Sequence, residues 1–312
     1  MVSPILEIDL AIIGAGVAGL TAATVAAQHG LSVLVIERIG AGGQVMNVEQ
    51  VANYPGFPQG VPGFELGPLL QEQAEAAGAQ FLLDTVDEIG PVAGGRHRLR
   101  CGSKTVAARA VLVAAGSARR RLGVPGEEQL QGRGVSHCAS CDGPLFRGKP
   151  VCVVGGGDSA FGEALVLAGH ASRVSLVFRE QTPLAQHYLV RQLAALSNVE
   201  LVAGAEITEI TGDDGGVTGV TLRHGDSPAR HLPVQGVFVY AGLEPDSGFL
   251  GGALTLDTNG RIKTDTGLQS SVSGVFAAGD IRSGATYLLA TAAGDGAQAA
   301  LSAYRYLQST QP

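Results

Sequence analysis

The chain has 312 residues, of which 45% are hydrophobic and 16% charged, and it contains 46 glycines and four cysteines. This composition is typical of a globular protein with one large or two medium domains, and it excludes collagen-like and disordered chains. The formal net charge of −7 argues against nucleic acid or an anionic membrane as the main partner.

The first 40 residues predict a dinucleotide-binding unit. An apolar strand, Ile8–Ile13, runs directly into glycines at positions 14, 16 and 19, and helical composition follows to Gln28. A second apolar run, Leu31–Ile36, ends at Glu37, close to the ~20-residue spacing expected of a Rossmann unit. Gly14, Gly16 and Gly19 would let a pyrophosphate approach the helix N-terminus, and Glu37 would accept hydrogen bonds from an adenosine ribose.

This first unit also bears on location. Leu10–Ala27 is uncharged, but its glycine spacing divides it into strand, turn and helix rather than a membrane span. No Lys or Arg precedes Arg38, which is unlike a signal peptide. We therefore expect a cytoplasmic protein without a membrane partner.

Two later strands end in small residues of the kind that lie against a cofactor. One is Ala110–Val113, which is followed by Ala115 and Gly116, and the other leads to Gly279 and Asp280. An aspartate at such a corner can hydrogen-bond a polyol chain, although a plain turn aspartate explains the same pattern. A small-residue helix then runs to Tyr306.

Cys138 and Cys141 are separated by two residues, a spacing that brings two sulfurs within disulfide reach and often opens a helix. Unpaired N–H groups in a first helical turn lower the pKa of a thiolate, so such a pair can cycle between dithiol and disulfide. A zinc site would need a second Cys/His pair, and the other cysteines, Cys101 and Cys152, do not have that spacing. We expect no metal site, and a structural disulfide does not suit an intracellular chain.

A second glycine-rich turn follows the strand that starts at Val151. Gly155, Gly157 and Ala160 fit GxGxxA, and a helix to about Ala168 and a strand Val174–Phe178 follow. Arg179 and Glu180 then occupy the place where an adenosine ribose or its 2′-phosphate would be read. Glu180 would repel a 2′-phosphate and could accept from a free 2′-OH, so these charges favour NADH over NADPH.

The order of these patterns predicts an α/β protein with two Rossmann-like three-layer nucleotide-binding domains, the second inserted into the first. Residues 1–117 and 245–312 would form the first domain, and residues 118–244 would form the inserted domain with the cysteine pair.

Together these motifs resemble the low-molecular-weight thioredoxin reductases and the related flavoprotein subunit of alkyl hydroperoxide reductase. The resemblance runs nearly end to end and includes Gly43-Gln44, Asn53-Tyr54-Pro55-Gly56, and the CxxC pair with Asp142. It implies FAD in the first domain, a nicotinamide nucleotide in the inserted domain, and a homodimer.

The resemblance also implies roles for particular residues. Cys141 would face the isoalloxazine, Cys138 would attack the partner disulfide, and Asp142 would be the acid/base for the thiol proton. The implied FAD contacts, together with those already inferred from the glycine pattern, are Gly14, Gly16, Gly19, Glu37, Gly43, Gln44, Asn53, Ala115, Gly116, Gly279, Asp280 and Ala290.

Two departures from the family pattern concern the electron donor. Phe178, Arg179, Glu180 and Leu184 stand where NADPH-using relatives carry a His-Arg-Arg and a further Arg. Tyr287 is followed by Leu288-Leu289 instead of Arg-Gln. These changes disfavour NADPH and leave NADH or reduced ferredoxin as donors.

The sequence thus predicts an FAD-dependent disulfide reductase that passes electrons through Cys138 and Cys141 to a thioredoxin-like protein. A flavin-dependent dithiol oxidase with oxygen as acceptor uses the same parts in reverse. A flavin-binding redox sensor without steady turnover is the non-enzyme alternative.

Overall fold

The computed structural model describes residues 5–310, apart from the side chains of residue 5 and residues 91–93. The chain divides into two compact units. Unit 1 contains the chain through Ala118 and again from Glu244 onward, and unit 2 is Arg119–Leu243.

Strands and helices alternate along much of the chain. The strands are β1 (Ile5–Ile13), β2 (Val33–Glu37), β3 (Gln80–Leu83), β4 (Glu88–Ala93), β5 (Arg96–Cys101), β6 (Lys104–Val113), β7 (Ser117–Arg119), β8 (Val135–Ser136), β9 (Pro150–Val154), β10 (Arg173–Phe178), β11 (Val199–Ala203), β12 (Glu206–Asp213), β13 (Gly216–Arg223), β14 (Arg230–Pro233), β15 (Gly236–Val239), β16 (Leu243–Pro245) and β17 (Val275–Ala277). The α-helices are α1 (Val17–Gln28), α2 (Gly63–Ala76), α3 (Ala139–Asp142), α4 (Asp158–Ala168), α5 (His187–Ala194) and α6 (Leu289–Ser309).

Unit 1 is built on a mainly parallel sheet with the order β3-β2-β1-β6. The far edge of β6 pairs with β17 in parallel at one end and with the antiparallel hairpin β4-β5 at the other. The central strands are apolar runs because both faces are covered, and Leu10 and Ile12 are fully buried. Helices α1 and α6 cover one face, where a side chain at Gly296 would clash with the carbonyl of Ala18.

Unit 2 is built on a parallel sheet with the order β11-β10-β9-β15-β8. Side chains alternate along β9, so Val151 and Val153 pack under α4 and α5 on one face. Cys152 and Val154 pack on the other face against the antiparallel sheet β12-β13-β14. This places the carboxyl ends of β9 and β10 beside the second glycine-rich turn.

The predicted α/β fold with Rossmann-like sheets is confirmed, and several boundaries differ from expectation. Helix α1 begins at Val17, so its first turn includes Gly19 and not only the residues from Leu20 onward. Helix α5 and strands β12 and β14 had no predicted counterpart, because α5 is only eight residues long and the two strands consist largely of polar residues that are exposed or half-buried. Within residues 5–310, none of the helices is long and apolar enough to cross a membrane.

Candidate active site

The first glycine-rich turn connects β1 to α1 and leaves the helix N-terminus open. Gly14 has a φ of 101°, and a Cβ there would lie 2.5 Å from the carbonyl oxygen of Ala114. A Cβ on Gly19 would clash with the carbonyl oxygen of Gly14, whereas a Cβ on Gly16 would meet no atom within 4 Å. Gly14 and Gly19 are therefore required by backbone packing, and Gly16 borders open space at the helix start.

This opening suits the pyrophosphate of a dinucleotide. Gly16 is the N-cap of α1 without a side-chain cap, and the first turn of α1 carries no acidic residue. The first N–H groups and the positive end of the helix dipole therefore point at space that a phosphate can fill. Glu37 closes one side, since its Oε2 accepts from Ala15 N at 2.8 Å and its Oε1 accepts from Ile39 N at 3.0 Å. Each of these oxygens keeps a lone pair for a ribose hydroxyl.

A second wall of the same opening comes from Gly43 and Gln44. Gly43 has a φ of 58°, and a Cβ there would be 3.3 Å from the Cα of Gly16. The Gln44 side chain donates from Nε2 to the carbonyl of Ser117 at 2.9 Å. Asn53 is exposed and belongs to residues 52–58, which line an open depression of about 380 Å³. Ala290 is exposed in the first turn of α6, next to Leu289, which packs with Val51.

The carboxyl ends of β6 and β17 place four further predicted residues in unit 1. Ala115 and Gly116 follow β6, and Gly116 has a φ of 67°. Gly279 follows β17, and a Cβ there would be 3.0 Å from the Cβ of Ala18 on α1. Asp280 is next to it, and burial, followed by the charge of Asp295, raises the pKa of the Asp280 carboxyl.

An ion pair between Arg282 and Asp295, which the sequence did not indicate, stabilises the turn that follows β17. Arg282 donates from Nε to Asp295 Oδ2 at 2.5 Å and from Nη2 to Asp295 Oδ1 at 2.8 Å. Asp295 Oδ2 also accepts from Gly279 N at 3.1 Å. The bidentate pair therefore fixes the backbone beside Asp280 to helix α6.

The cysteine pair lies in unit 2, where Cys138 and Cys141 form a disulfide. Cys138 is the N-cap of α3, and its Sγ accepts from Cys141 N at 3.2 Å. Cys141 is exposed and Cys138 is half-buried. The sequence prediction that this spacing opens a helix is confirmed.

Ser136 links Asp142 to the cysteine pair, a connection that the sequence analysis missed. The Ser136 hydroxyl donates to Asp142 Oδ2 at 2.6 Å and accepts from Cys138 N at 3.1 Å. Ser136 is 5% exposed, so its hydroxyl holds the carboxylate in a fixed position relative to Cys138. A serine in a short buried strand has many structural roles, so no sequence signal marks this contact.

Glu163 and Tyr240 both form hydrogen bonds with the backbone N–H of Ala139, between the two cysteines. Neither residue was predicted. Ala139 N donates to Glu163 Oε2 at 2.9 Å and approaches the Tyr240 hydroxyl at 3.1 Å. The Tyr240 hydroxyl donates to the same Glu163 oxygen at 3.1 Å. These residues lie 24 and 101 positions from Ala139 in the sequence, so no local pattern could reveal the contact.

The second glycine-rich turn has the same backbone plan but carries negative charge. A Cβ on Gly155 would clash with the carbonyl oxygen of Tyr240, and one on Gly157 would meet nothing within 4 Å. A Cβ on Gly156, however, would lie 2.7 Å from Glu180 Oε2. Asp158, in the first turn of α4, accepts from the backbone and side-chain nitrogens of Gln186 at 2.7 and 2.5 Å.

Ala160 and Arg179 complete the predicted nucleotide residues of unit 2. Ala160 is 1% exposed and packs between α4 and the sheet. The Arg179 guanidinium lies 3.9 Å from a carboxylate oxygen of Glu206 and is largely exposed. Glu180 therefore lies beside Gly156 of the turn, whereas Arg179 lies near Glu206 of β12.

The remaining cysteines are buried in the two sheets. Burial raises the pKa of the Cys101 thiol to about 11 and that of Cys152 to about 12, so neither is a nucleophile at neutral pH. Among the described residues, no group of three or more His, Cys, Asp and Glu side chains is arranged to hold a metal ion.

Known proteins resemble this chain in both sequence and fold. The sequence profile described as pyridine nucleotide-disulphide oxidoreductase matches residues 8–297. The chain is 40% identical to a thioredoxin reductase of Bacillus subtilis over 97% of its length and 96% of the relative. It is 42% identical to a thioredoxin reductase of Mycolicibacterium smegmatis over 96% of each chain. The fold is similar to that of Lactococcus lactis thioredoxin reductase in its FR conformation, with a TM-score of 0.94, 33% identity, and coverage of 97% of this chain and 99% of that one.

Proposed function

The chain belongs to the pyridine nucleotide-disulphide oxidoreductase family, and we propose that it is an FAD-dependent reductase of a thioredoxin-like protein disulfide. The observation that carries this proposal is the Cys138–Cys141 pair, which is bonded, half-exposed and joined through Ser136 to the Asp142 carboxylate. A buried structural disulfide would need neither an exposed sulfur nor an adjacent proton acceptor.

The cysteine pair can carry out disulfide exchange with its own residues. Two electrons and two protons convert the Cys138–Cys141 disulfide to two thiols. The Cys138 thiolate then attacks a substrate disulfide, and Cys141 attacks the mixed disulfide, which releases the reduced substrate and re-forms the bond. Asp142 would accept the proton that leaves one thiol and return it to the departing substrate thiolate.

FAD would be held by the opening at the start of α1. The open N–H groups beside Gly16 would receive the pyrophosphate, and Glu37 would receive the ribose. Gly43, Gln44, Asn53, Ala115, Gly116 and Ala290 would complete the pocket, and Gly279 and Asp280 would meet the polyol chain. When bound, FAD supplies a two-electron carrier between the external donor and the cysteine pair.

The electron donor is the finer part of the proposal. A nicotinamide nucleotide would bind at Gly155, Gly157 and Ala160, with Glu180 beside its adenosine ribose. The carboxylate of Glu180 supports NADH over NADPH, since a 2′-phosphate would meet a like charge. Reduced ferredoxin is the donor we would infer if both nucleotides fail.

The donor is tested by anaerobic titration of the purified FAD-loaded protein with NADH, NADPH or reduced ferredoxin, followed at the flavin absorbance near 450 nm. We expect NADH to bleach the flavin at lower concentration than NADPH. Failure of both nucleotides together with success of ferredoxin would overturn the NADH assignment. Bleaching only by a dithiol, with reoxidation that consumes oxygen, would instead indicate a dithiol oxidase. Absence of turnover with every pair of donor and acceptor would indicate a sensor.

The roles of the two sulfurs are tested with serine variants. Cys138→Ser and Cys141→Ser should each reduce turnover of an oxidised thioredoxin by more than about 1,000-fold, while bleaching of the flavin by the donor remains. Only Cys141→Ser should trap a mixed disulfide with the substrate, since it keeps the attacking sulfur. Full turnover in either variant would overturn the proposed function.

The assembly and location expected for the protein belong to the same proposal. We expect a cytoplasmic homodimer, and sedimentation equilibrium of the FAD-loaded protein checks the dimer.

A further inference from the structure

The carboxylate of Glu163 binds the backbone N–H of the residue that follows Cys138. Ala139 follows Cys138 directly and is fully buried, and its N–H points to Glu163 Oε2 at 2.9 Å. Such N–H groups in a first helical turn are the ones that stabilise a cysteine thiolate. Glu163 thus takes one of these donors and adds a negative charge next to the pair.

The Tyr240 hydroxyl stays neutral in this arrangement. Burial raises the pKa of Tyr240 above its ordinary value, and the charge of Glu163 and their hydrogen bond raise it further. The phenol therefore keeps its proton and donates a hydrogen bond to Glu163 Oε2. Tyr240 therefore orients the Glu163 carboxylate through a hydrogen bond and carries no negative charge of its own.

Other titratable or charged groups also surround the pair. Asp142 lies on the same helix and is held by Ser136. His137 precedes Cys138, with its Nδ1 3.1 Å from the Val239 carbonyl, and its own carbonyl accepts from the Arg119 guanidinium. His170 lies against Gly143. Of these neighbours, Glu163 is the carboxylate that binds the backbone N–H between the two cysteines.

We propose that Glu163 makes the Cys138–Cys141 pair a stronger reductant by disfavouring its thiolate form. The inference rests on the proposed function, in which the pair cycles between disulfide and dithiol. A disulfide whose reduced form is stabilised becomes an oxidant, so a group that destabilises the reduced form has the opposite effect. This effect suits an enzyme whose pair must give electrons to a substrate disulfide.

The effect must depend on pH in a defined direction. Where both thiols are protonated, the reduced pair is neutral, and the charge of Glu163 has nothing to repel. Above the pKa of the more acidic thiol, the reduced pair carries a negative charge, and Glu163 raises its free energy. Removing the charge of Glu163 should therefore favour reduction at alkaline pH and leave the equilibrium unchanged at acidic pH.

The test is the equilibrium between the full-length FAD-loaded protein and dithiothreitol, measured without oxygen at pH 6 and pH 9. In this exchange the protein disulfide and reduced dithiothreitol yield the protein dithiol and oxidised dithiothreitol. Native-state alkylation followed by mass spectrometry reports the reduced pair, because Cys101 and Cys152 are buried.

Glu163→Gln keeps the size of the side chain and an oxygen that can accept from Ala139, and it removes the charge. We expect its equilibrium constant for reduction to rise about tenfold at pH 9, which corresponds to about 30 mV, and to change less than about twofold at pH 6. An unchanged constant at pH 9, or an equal rise at both pH values, would overturn the inference.

Two further variants separate charge from packing. Glu209→Gln removes an exposed carboxylate on β12 of the same unit and should leave both constants unchanged. Tyr240→Phe keeps the Glu163 charge and removes the hydroxyl that orients it, so the constant at pH 9 should stay the same or fall. A tenfold rise in Tyr240→Phe would show that distortion of α3, not charge, controls the pair, and would contradict the proposal.

The experiment uses neither an electron donor nor a protein substrate. If no donor reduces the flavin, the proposed function fails while the effect of Glu163 can still be measured. If a donor and a thioredoxin support turnover but Glu163→Gln leaves the equilibrium unchanged, the further inference alone fails.

Discussion

The two glycine-rich turns share a backbone plan but differ in the charges around them. Each joins a buried parallel strand to a helix whose N-cap is a glycine without a side-chain cap. In unit 1, the first turn of α1 is free of acidic residues, and Glu37 is engaged by two backbone N–H groups. In unit 2, Asp158 lies in the first turn of α4 and Glu180 approaches Gly156.

This difference separates geometry from electrostatics in nucleotide binding. Both turns leave room for a phosphate, since a Cβ on Gly16 or Gly157 meets nothing within 4 Å. The first turn offers that phosphate an uncompensated helix dipole, whereas the second sets two carboxylates near it. We therefore expect tight binding of FAD in unit 1 and weaker, more selective binding of a nicotinamide nucleotide in unit 2.

Replacing glycine with alanine at two positions of the first turn should separate effects on stability from effects on cofactor binding. Gly19→Ala forces a Cβ onto the Gly14 carbonyl, so we expect the apoprotein to lose about 1–3 kcal/mol of unfolding free energy. Gly16→Ala puts its Cβ in open space and should leave apoprotein stability within about 0.5 kcal/mol. It should nevertheless weaken FAD binding at least tenfold.

Urea unfolding of the apoproteins and fluorescence titration with FAD measure these two effects. Equal FAD affinity in Gly16→Ala and the unaltered protein would mean that the pyrophosphate does not lie at this turn. The matched change Gly157→Ala, in unit 2, should leave FAD affinity unchanged.

Glu37→Gln should weaken FAD binding by a smaller amount. A glutamine has one acceptor oxygen, so it cannot receive both the Ala15 and Ile39 N–H groups, and its amide nitrogen would face a donor. The side chain then cannot hold both N–H groups and also receive the ribose, so we expect FAD affinity to fall about threefold to tenfold, less than in Gly16→Ala. Equilibrium dialysis against FAD measures it, and Glu180→Gln in unit 2 is the control that should retain normal affinity.

Much of this contrast could be predicted from the sequence, because the residues responsible for it lie close together along the chain. Buried parallel strands read as continuous apolar runs, and the glycine spacings follow from contacts within one strand–turn–helix unit, so both turns and Glu37 were identified. The spacing of Cys138 and Cys141 is local for the same reason. Ser136 lies within the same stretch and was still missed, because a serine within a buried strand has many structural roles.

The rest could not be predicted because it depends on long-range contacts. Glu163 on α4 and Tyr240 after β15 meet Ala139 only after the sheet of unit 2 has formed. The Arg282–Asp295 pair likewise joins a corner after β17 to α6. Helix α5 was missed because its amphipathic pattern covers only eight residues.

The charge of Glu180 gives a third prediction, on cofactor preference. Glu180→Gln removes the like charge that a 2′-phosphate would meet, so the ratio of kcat/KM for NADPH to that for NADH should rise about tenfold. Steady-state reduction of an oxidised thioredoxin with each nucleotide measures this ratio. Glu209→Gln serves as the control, and an unchanged ratio in Glu180→Gln would place the adenosine ribose away from this residue.

Asp280 gives the smallest expected effect and shows that unit 1 also carries an unfavourable carboxylate. Burial, and then the charge of Asp295, raise the pKa of Asp280 above that of an unfolded aspartate. The folded protein therefore holds this proton more tightly than the unfolded chain, and the stability contributed by the protonated form is lost as pH rises through the folded pKa. Asp280→Asn should accordingly raise the unfolding free energy of the apoprotein at pH 7.5 by about 1 kcal/mol and leave it unchanged near pH 3.5. Urea unfolding at the two pH values measures this difference, with the exposed Asp226→Asn as a control that should show neither change. The same substitution should lower FAD affinity several-fold if the Asp280 carboxylate accepts hydrogen bonds from the polyol chain, as the proposed function requires. A variant that gained stability and kept full FAD affinity would show that the buried charge serves no purpose in cofactor binding.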